Sequence, residues 1–267
     1  MKKENFDDIM EVVGGDQSVT YVTFIQDHSG SMGEKLFDEN GKKSEISRAE
    51  FQRNNYNEQM AVLRRETGDM ETLVTLIEFD DNVKIRYENV EAHEAIDLGD
   101  YWIGGMTALY DAIGRGIYLT QKKLDADQRE NKAALVIIQT DGEENSSQEY
   151  KQKQLLQMIV LLEETKKWTF VFLGENIDKE IASKMSQLNT MQICSTVSDY
   201  KTSNQTLMGG LDKYYKLRKR GVTYSANVMS NDDETYKSKA NAFGVDIGDL
   251  EGKTAEEITK SKMESKK

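Results

Sequence analysis

The chain has 267 residues, which is enough for one domain of about 200 residues with extensions. Its hydrophobic content of 37% and charged content of 31% are typical of a globular protein with polar ends. The net charge of −12 argues against broad binding to nucleic acid or to anionic membrane, because both require basic surface. No segment approaches the roughly 20 apolar residues of a membrane span.

The cysteine content and the first residues bear on the compartment. Cys194 is the single cysteine of the sequence, so an intramolecular disulfide is excluded and a reducing compartment is favoured. Because Ile193 precedes it, Cys194 is interpreted as a small buried hydrophobe. Residues 1–5 lead into no apolar run and do not resemble a secretory signal. We therefore expect a cytoplasmic protein.

The first part of the chain predicts a lead-in, a strand and a helix. Residues 1–17 are a lead-in, and the apolar run at 20–26 predicts a buried strand. The polar stretch at 33–46 is either a solvated loop or a segment that contributes to partner choice. A helix is predicted from about Ser47 to Glu66, since Ser47 followed by Glu50 forms a capping box.

From residue 68 onward, strand patterns and helix patterns alternate, which indicates a parallel sheet covered by helices. Val83–Tyr87 alternates like an edge hairpin strand, so one antiparallel edge is expected. The other predicted elements are strands at 72–79, 133–139, 168–173 and 191–194, and helices at about 108–124, 148–166, 177–188 and 200–220. The predicted fold is α/β: a Rossmann-like, doubly wound, mostly parallel sheet over 18–220. Residues 221–267 are predicted to form a polar, mobile tail.

The segment Asp27–Ser31 (Asp-His-Ser-Gly-Ser) follows the first strand directly. It places a carboxylate and two hydroxyls at alternate positions, at the edge of a parallel sheet where open α/β folds bind ligands. Mg²⁺ prefers octahedral oxygen coordination and keeps some of its waters. The residue types therefore suit a magnesium site, although a turn with side-chain-to-backbone hydrogen bonds has the same composition.

This segment resembles the Asp-x-Ser-x-Ser signature of the von Willebrand factor A (vWA) family, in which it begins the metal-ion-dependent adhesion site. Gly104–Ala112 and Ala134–Gly142 resemble the second and third segments of that site, in the family's order. The resemblance covers residues 18–220 and is to the stand-alone intracellular bacterial or phage type.

The resemblance implies a ligand set and a function. Ser29, Ser31 and Thr107 would supply hydroxyl ligands, and Asp27 and Asp141 would act directly or through water. The expected ion is Mg²⁺, with Mn²⁺ or Ca²⁺ as alternatives, and its open position would take an Asp or Glu from a partner protein. The implied protein is a non-enzymatic binding module, and such relatives often work beside an ATPase or assembly factor.

Several residues near these segments have second interpretations. Thr107 could instead cap the helix that follows it. Asp111 is either polar surface or a group behind the ligands, and Glu143 and Glu144 are either supporting acids or a solvated loop. His28 is expected to pack, because it points away from its two neighbours in an extended segment.

Two alternative functions remain. A metal-dependent phosphoester hydrolase of the haloacid dehalogenase type would need a second Asp two residues after Asp27, where this chain has Ser29, and neither histidine is placed as a general base. The basic and aromatic run Lys213–Arg220 could bind nucleic acid. The acidic net charge argues against this, and the run also fits the end of an amphipathic helix.

Overall fold

The computed structural model describes residues 18–68, 70–99, 102–141, 144–174, 190–192 and 196–219, together with 221 and 223. The predicted lead-in, nearly all of the predicted tail, the helix predicted at 177–188 and Cys194 lie outside the described residues. No helix in the described ranges is long and apolar enough to cross a membrane.

A six-stranded sheet forms the centre of the fold. Its strands are β1 (Val19–Asp27), β4 (Glu71–Phe79), β5 (Val83–Glu91), β6 (Lys132–Thr140), β7 (Trp168–Gly174) and β8 (Thr190–Gln192). Their order across the sheet is β5-β4-β1-β6-β7-β8, and neighbours are parallel, except that β5 pairs antiparallel with β4 at one edge. The predicted Rossmann-like fold with one antiparallel edge strand is confirmed.

Helices cover both faces of this sheet. They are α1 (Arg48–Thr67), α2 (Leu109–Ala126), α3 (Gln152–Glu164) and α4 (Val197–Arg218). Successive residues of a strand point to opposite faces, so Ile25 of β1 joins a core with α2 and α3, whereas Phe24 joins a core with α1 and α4. Because β1 is buried on both faces, it appears in the sequence as a run rich in β-branched and aromatic residues.

Helix α2 lies unusually close to the sheet because of Gly116. A Cβ atom on this residue would be 2.9 Å from Cδ1 of Ile25 and 3.3 Å from Cγ2 of Thr23. The close approach fixes α2 over β1, and it sets the N-terminus of α2 beside the carboxyl end of that strand.

Residues 33–46 differ from the predicted loop. Lys35–Phe37 (β2) and Lys43–Ser47 (β3) pair as a two-stranded antiparallel sheet. Phe37 also forms a bridge to Thr196, just before α4. The hairpin leads into α1 through the predicted capping box of Ser47 and Glu50, which is confirmed.

Helix α3 begins at Gln152, four residues later than predicted. The carboxylate of Asp111 accepts hydrogen bonds from the backbone N–H groups of residues 148–150, at 2.8–2.9 Å. Through these bonds, Asp111 anchors residues 148–150 as a loop against α2.

The basic run at the end of α4 has an exposed side, which carries Lys213, Lys216 and Lys219, and a buried side. Tyr214, Tyr215 and Arg218 are buried. The guanidinium of Arg218 donates hydrogen bonds to Oγ1 of Thr20 at 3.0 Å and to the carbonyl of Val19 at 2.8 Å. The interpretation of this run as the end of an amphipathic helix is confirmed. The buried side chains of Tyr214, Tyr215 and Arg218 are not presented to a nucleic acid.

Candidate metal centre

The predicted site residues lie at the carboxyl ends of two adjacent strands. Asp27 is the last residue of β1, and Asp141 follows the last residue of β6. Since β1 and β6 are parallel neighbours in register, their ends meet at the same edge of the sheet. The 3₁₀ turn Gly30–Gly33 then brings Ser31 back over this edge.

Three of the predicted ligands are in direct contact. Oγ of Ser29 lies 3.1 Å from Oγ of Ser31, which in turn donates a hydrogen bond of 2.8 Å to Oδ1 of Asp141. Ser29 and Asp141 are buried, and Ser31 is half-buried. The structure therefore forms a continuous row of side-chain oxygens from residues that are 110 positions apart in the sequence.

Asp27 lies beneath this row and shapes the loop. It is fully buried, and its Oδ1 accepts a hydrogen bond of 2.7 Å from the backbone N–H of Ser29. Its Oδ2 accepts a hydrogen bond from the hydroxyl of Thr140. Burial raises the pKa of Asp27, whereas the hydrogen bonds from Ser29 and Thr140 act to lower it. The turn interpretation is thus correct for Asp27, and it is compatible with action on a metal through water.

Thr107 is buried at the same edge. Its backbone N–H donates to Oδ1 of Asn145 at 2.8 Å, and its carbonyl accepts from the backbone N–H of Asn145 at 3.1 Å. Ala108 is the N-cap of α2, and no side chain at that position caps the helix. The alternative in which Thr107 caps α2 is therefore wrong, and Asn145 fixes this residue instead.

The loop after β6 supplies the missing cap. Oε2 of Glu144 accepts a hydrogen bond of 2.9 Å from the backbone N–H of Tyr110, in the first turn of α2. Ser147 accepts from the next N–H group, that of Asp111, at 3.1 Å. Glu144 is therefore a cap of α2 and not a solvated acid, and its role as a supporting acid behind the metal ligands stays a prediction. Glu143 lies outside the described residues.

Backbone hydrogen bonds join the loops around the centre. The N–H of Gly30 donates to the carbonyl of Gly105 at 3.2 Å, and the N–H of Gly104 donates to the carbonyl of His28 at 2.9 Å. Ala108 donates to the carbonyl of Asp80 at 2.7 Å. These bonds hold the segment that carries Thr107 against the segment that carries Ser29 and Ser31.

His28 packs beneath the loops, as predicted. It is fully buried, its Nδ1 lies 3.0 Å from the carbonyl oxygen of Trp102, and the two rings are 4.8 Å apart between centroids. Burial lowers the pKa of His28 to about 4, so the ring is neutral at physiological pH.

Arg48 is a component that the sequence analysis did not identify. Its guanidinium is nearly buried, and Nη1 lies 3.2 Å from Oδ2 of Asp141. The same nitrogen is 3.3 Å from the carbonyl of Ser31 and 2.9 Å from the carboxylate of Glu34. The only signal in the sequence was the capping box at Ser47, which places residue 48 at the first position of α1.

The donor set fits a hard divalent cation. Mg²⁺–oxygen bonds of about 2.0–2.1 Å in an octahedron place neighbouring ligand oxygens about 2.9 Å apart. The separations of 3.1 Å between Ser29 and Ser31 and 2.8 Å between Ser31 and Asp141 are of this size. No cluster of three or more His, Cys, Asp or Glu side chains in the described ranges is arranged for a metal. The oxygens that the structure brings together here are two hydroxyls and one carboxylate.

No family model and no curated protein matches the chain. Among solved structures, the PilB minor pilin from Streptococcus sanguinis is similar, with a TM-score of 0.51 and 13% identity over 78% of this chain. The chain covers 63% of that pilin. At this identity the likeness shows the fold alone.

Two further solved structures are similar with lower scores. One is proximal thread matrix protein 1 from the mussel byssus, with a zinc-occupied MIDAS motif; its TM-score is 0.42, with 15% identity over 77% of this chain and 47% of that one. The other is a von Willebrand factor type A protein from Catenulispora acidiphila, with a TM-score of 0.43 and 13% identity over 78% of this chain and 43% of that one. These two scores are too low to add to what the sheet order of the chain shows by itself, a Rossmann-like fold.

Proposed function

We propose that this chain is a non-enzymatic protein-binding module that recruits its partner through a bound divalent metal. The proposed metal is Mg²⁺. The observation that carries the proposal is the row of oxygens from Ser29, Ser31 and Asp141 at the carboxyl edge of the sheet, spaced as octahedral ligands are. Loops at this edge are where open α/β sheets bind ligands.

The chain's own residues would hold the metal in the following way. Ser29, Ser31 and Thr107 offer neutral hydroxyls, and Asp141 offers one carboxylate. Asp27 has both oxygens engaged by Ser29 and Thr140, which favours its action through a water molecule. A dication held largely by neutral groups keeps much of its positive charge and attracts an Asp or Glu of a partner. Mn²⁺ and Ca²⁺ also accept oxygen ligands and are the alternatives.

The surroundings of the centre favour binding over hydrolysis. His28 is buried and neutral, and its Nδ1 faces a backbone carbonyl. His93 lies 3.3 Å from the hydroxyl of Thr67, at the end of α1. Neither histidine of the chain is therefore placed as a general base at the centre, and the position two residues after Asp27 is a serine.

The proposed partner is a protein, and the proposed compartment is the cytoplasm. A protein that offers an Asp or Glu, such as an ATPase or an assembly factor, is what the vWA resemblance implies. The single cysteine fits action in the cytoplasm. The net charge of −12 opposes nucleic acid as the partner.

Titration calorimetry of the chelator-stripped protein tests the metal site. We expect about one Mg²⁺ per chain, with binding lost in the Ser29→Ala, Ser31→Ala double variant. Ser44→Ala is the control, because Ser44 bonds only within its own hairpin in the described structure. Unchanged Mg²⁺ binding in a folded double variant would contradict the site. Turnover of generic phosphoesters with Mn²⁺, abolished by Asp27→Ala, would instead support the hydrolase alternative.

A further inference from the structure

A cluster of exposed apolar side chains lies next to the candidate metal centre. The described part of the chain has five large exposed hydrophobic residues, and three of them fall between positions 102 and 106. Trp102 is 38% exposed, Ile103 is 40% exposed and Met106 is 55% exposed. We call these three residues the apolar rim. Scattered exposed hydrophobics are normal on a protein surface, whereas a cluster marks an interaction site.

The apolar rim is fixed to the segment that carries the metal ligands. The ring of Trp102 packs on the buried ring of His28, which lies between Asp27 and Ser29. Ile103 lies against the 3₁₀ turn that contains Ser31, because a Cβ atom on Gly33 would be 3.8 Å from its Cγ2. Met106 directly precedes Thr107. If a segment of a partner protein placed one side chain on the metal, a neighbouring side chain of that segment would therefore reach the apolar rim.

The charge around the rim also bears on the partner. Nζ of Lys84 lies 5.9 Å from the centroid of the Trp102 ring, on the side of β5. The carboxylates of Asp80 and Asp81 lie beside Gly105 in the same segment. The attraction for an acidic segment therefore comes from the bound dication and from Lys84 at the Trp102 side of the rim. The net charge of −12 opposes the pairing of two copies of this chain.

We propose that the apolar rim and the metal centre form one docking surface for a partner segment with a defined pattern. In that segment, an Asp or Glu lies within two residues of a large apolar side chain. The acid binds the metal and the apolar side chain covers Trp102, Ile103 and Met106. This proposal rests on the proposed function, because it takes the metal-bound carboxylate as its anchor.

Selection from a displayed library of random heptapeptides tests the pattern. The library is bound to the immobilised 267-residue chain in Mg²⁺, and bound peptides are eluted with EDTA. We expect the eluted peptides to be enriched in an acid with a large apolar neighbour. In the Trp102→Ser, Met106→Ser variant, the acid should persist while the apolar enrichment falls at least about tenfold, a loss of about 1.4 kcal/mol. Ile96→Ser is the matched control, because Ile96 is exposed outside the rim.

The other outcomes separate this proposal from the proposed function. Enrichment of acids without apolar neighbours would contradict the role of the apolar rim in docking but support the metal-bound carboxylate. If no peptide is eluted by EDTA from a metal-loaded chain, both the rim and the metal-bound carboxylate are contradicted. Mg²⁺-dependent dimers that are lost in the rim variant would make a second copy the occupant. The chain itself carries acids among apolar residues at 245–250. If peptides are selected only by the Asp246→Asn, Asp249→Asn variant, the chain's own segment 245–250 is the occupant. This result and the Mg²⁺-dependent dimers would each contradict a separate partner.

Discussion

The guanidinium of Arg48 lies 3.2 Å from Oδ2 of Asp141, whose other oxygen accepts the hydrogen bond from Ser31. A buried internal cation thus offsets the charge of the carboxylate that accepts a hydrogen bond from Ser31. Opposite charges attract strongly at this distance when water is largely excluded. We therefore expect a divalent metal at the candidate centre to share Asp141 with Arg48, and to bind with lower affinity than the ligand set alone would give.

Replacement of Arg48 by glutamine removes this competing charge. We expect Arg48→Gln to bind Mg²⁺ about tenfold more tightly than the wild type, a gain of about 1.4 kcal/mol. Titration calorimetry measures the dissociation constant, and urea unfolding verifies that the variant is folded.

Arg65→Gln is the control for this charge change. Arg65 lies on the same helix, 17 residues or about 25 Å further along it, and pairs with Glu66 and Asp212 at the surface. Its Mg²⁺ affinity should equal that of the wild type. If Arg48→Gln binds Mg²⁺ with equal or weaker affinity, Arg48 orients Asp141 and does not compete with the cation.

The hydroxyl of Thr140 is expected to support metal binding without touching the metal. It donates to Oδ2 of the buried Asp27, and Asp27 in turn holds the N–H of Ser29. Loss of such a supporting hydrogen bond typically weakens metal affinity about 10–100-fold. We expect this loss in Thr140→Val, measured by calorimetry, while Thr140→Ser keeps the hydroxyl and binds like the wild type. Equal affinities in the two variants would count against this role.

The sequence predicted the fold well because burial leaves a periodic signal. Strand β1 is buried on both faces and appears as a run rich in β-branched and aromatic residues, and Val83–Tyr87 alternates because β5 is an edge strand. The hairpin at 35–47 could not be predicted in this way. Its strands have only three and five residues, and β3 is largely exposed, so no periodic apolar pattern marks them.

The candidate site was predicted from local motifs, to which the vWA resemblance added Thr107 and Asp141. The spacing of Asp27, Ser29 and Ser31 is a local pattern, whereas the contact of Arg48 with Asp141 joins residues 93 positions apart. The cap of α2 by Glu144 likewise depends on how the loop after β6 folds onto that helix. Such contacts have no periodicity, so the three-dimensional arrangement is needed to find them.

The backbone conformation at position 105 requires a glycine. The loop before Thr107 is therefore sensitive to substitution at this position. Its φ angle is +71°, and a Cβ atom there would be 2.2 Å from Oδ1 of Asp81. We expect Gly105→Ala to lower the free energy of unfolding by at least about 1–2 kcal/mol, the usual cost of this conformation for a residue with a Cβ atom. Urea unfolding measures the change. Gly104→Ala should be tolerated, because nothing lies within 4 Å of its Cβ position; equal losses in both variants would contradict the explanation.

Glu163 gives the fold a stability that depends on pH. It is completely buried near the end of α3, and burial raises its pKa well above the usual value. The stability that its neutral form contributes is fully present below the unfolded-state pKa of about 4.5. It is lost as the pH rises through the folded-state pKa, because the unfolded carboxylate releases its proton first.

Glu163→Gln should remove this dependence, since the amide has the same shape and never ionises. We expect the melting temperature of the variant to match the wild type near pH 4.5 and to exceed it progressively at higher pH, by about 2–4 °C for each kcal/mol gained. Differential scanning calorimetry from pH 4.5 to pH 8 measures the difference. Glu164→Gln, at the exposed neighbouring position, should show no such trend. A difference between Glu163→Gln and the wild type that stays constant with pH would show that Glu163 is ionised in the folded chain.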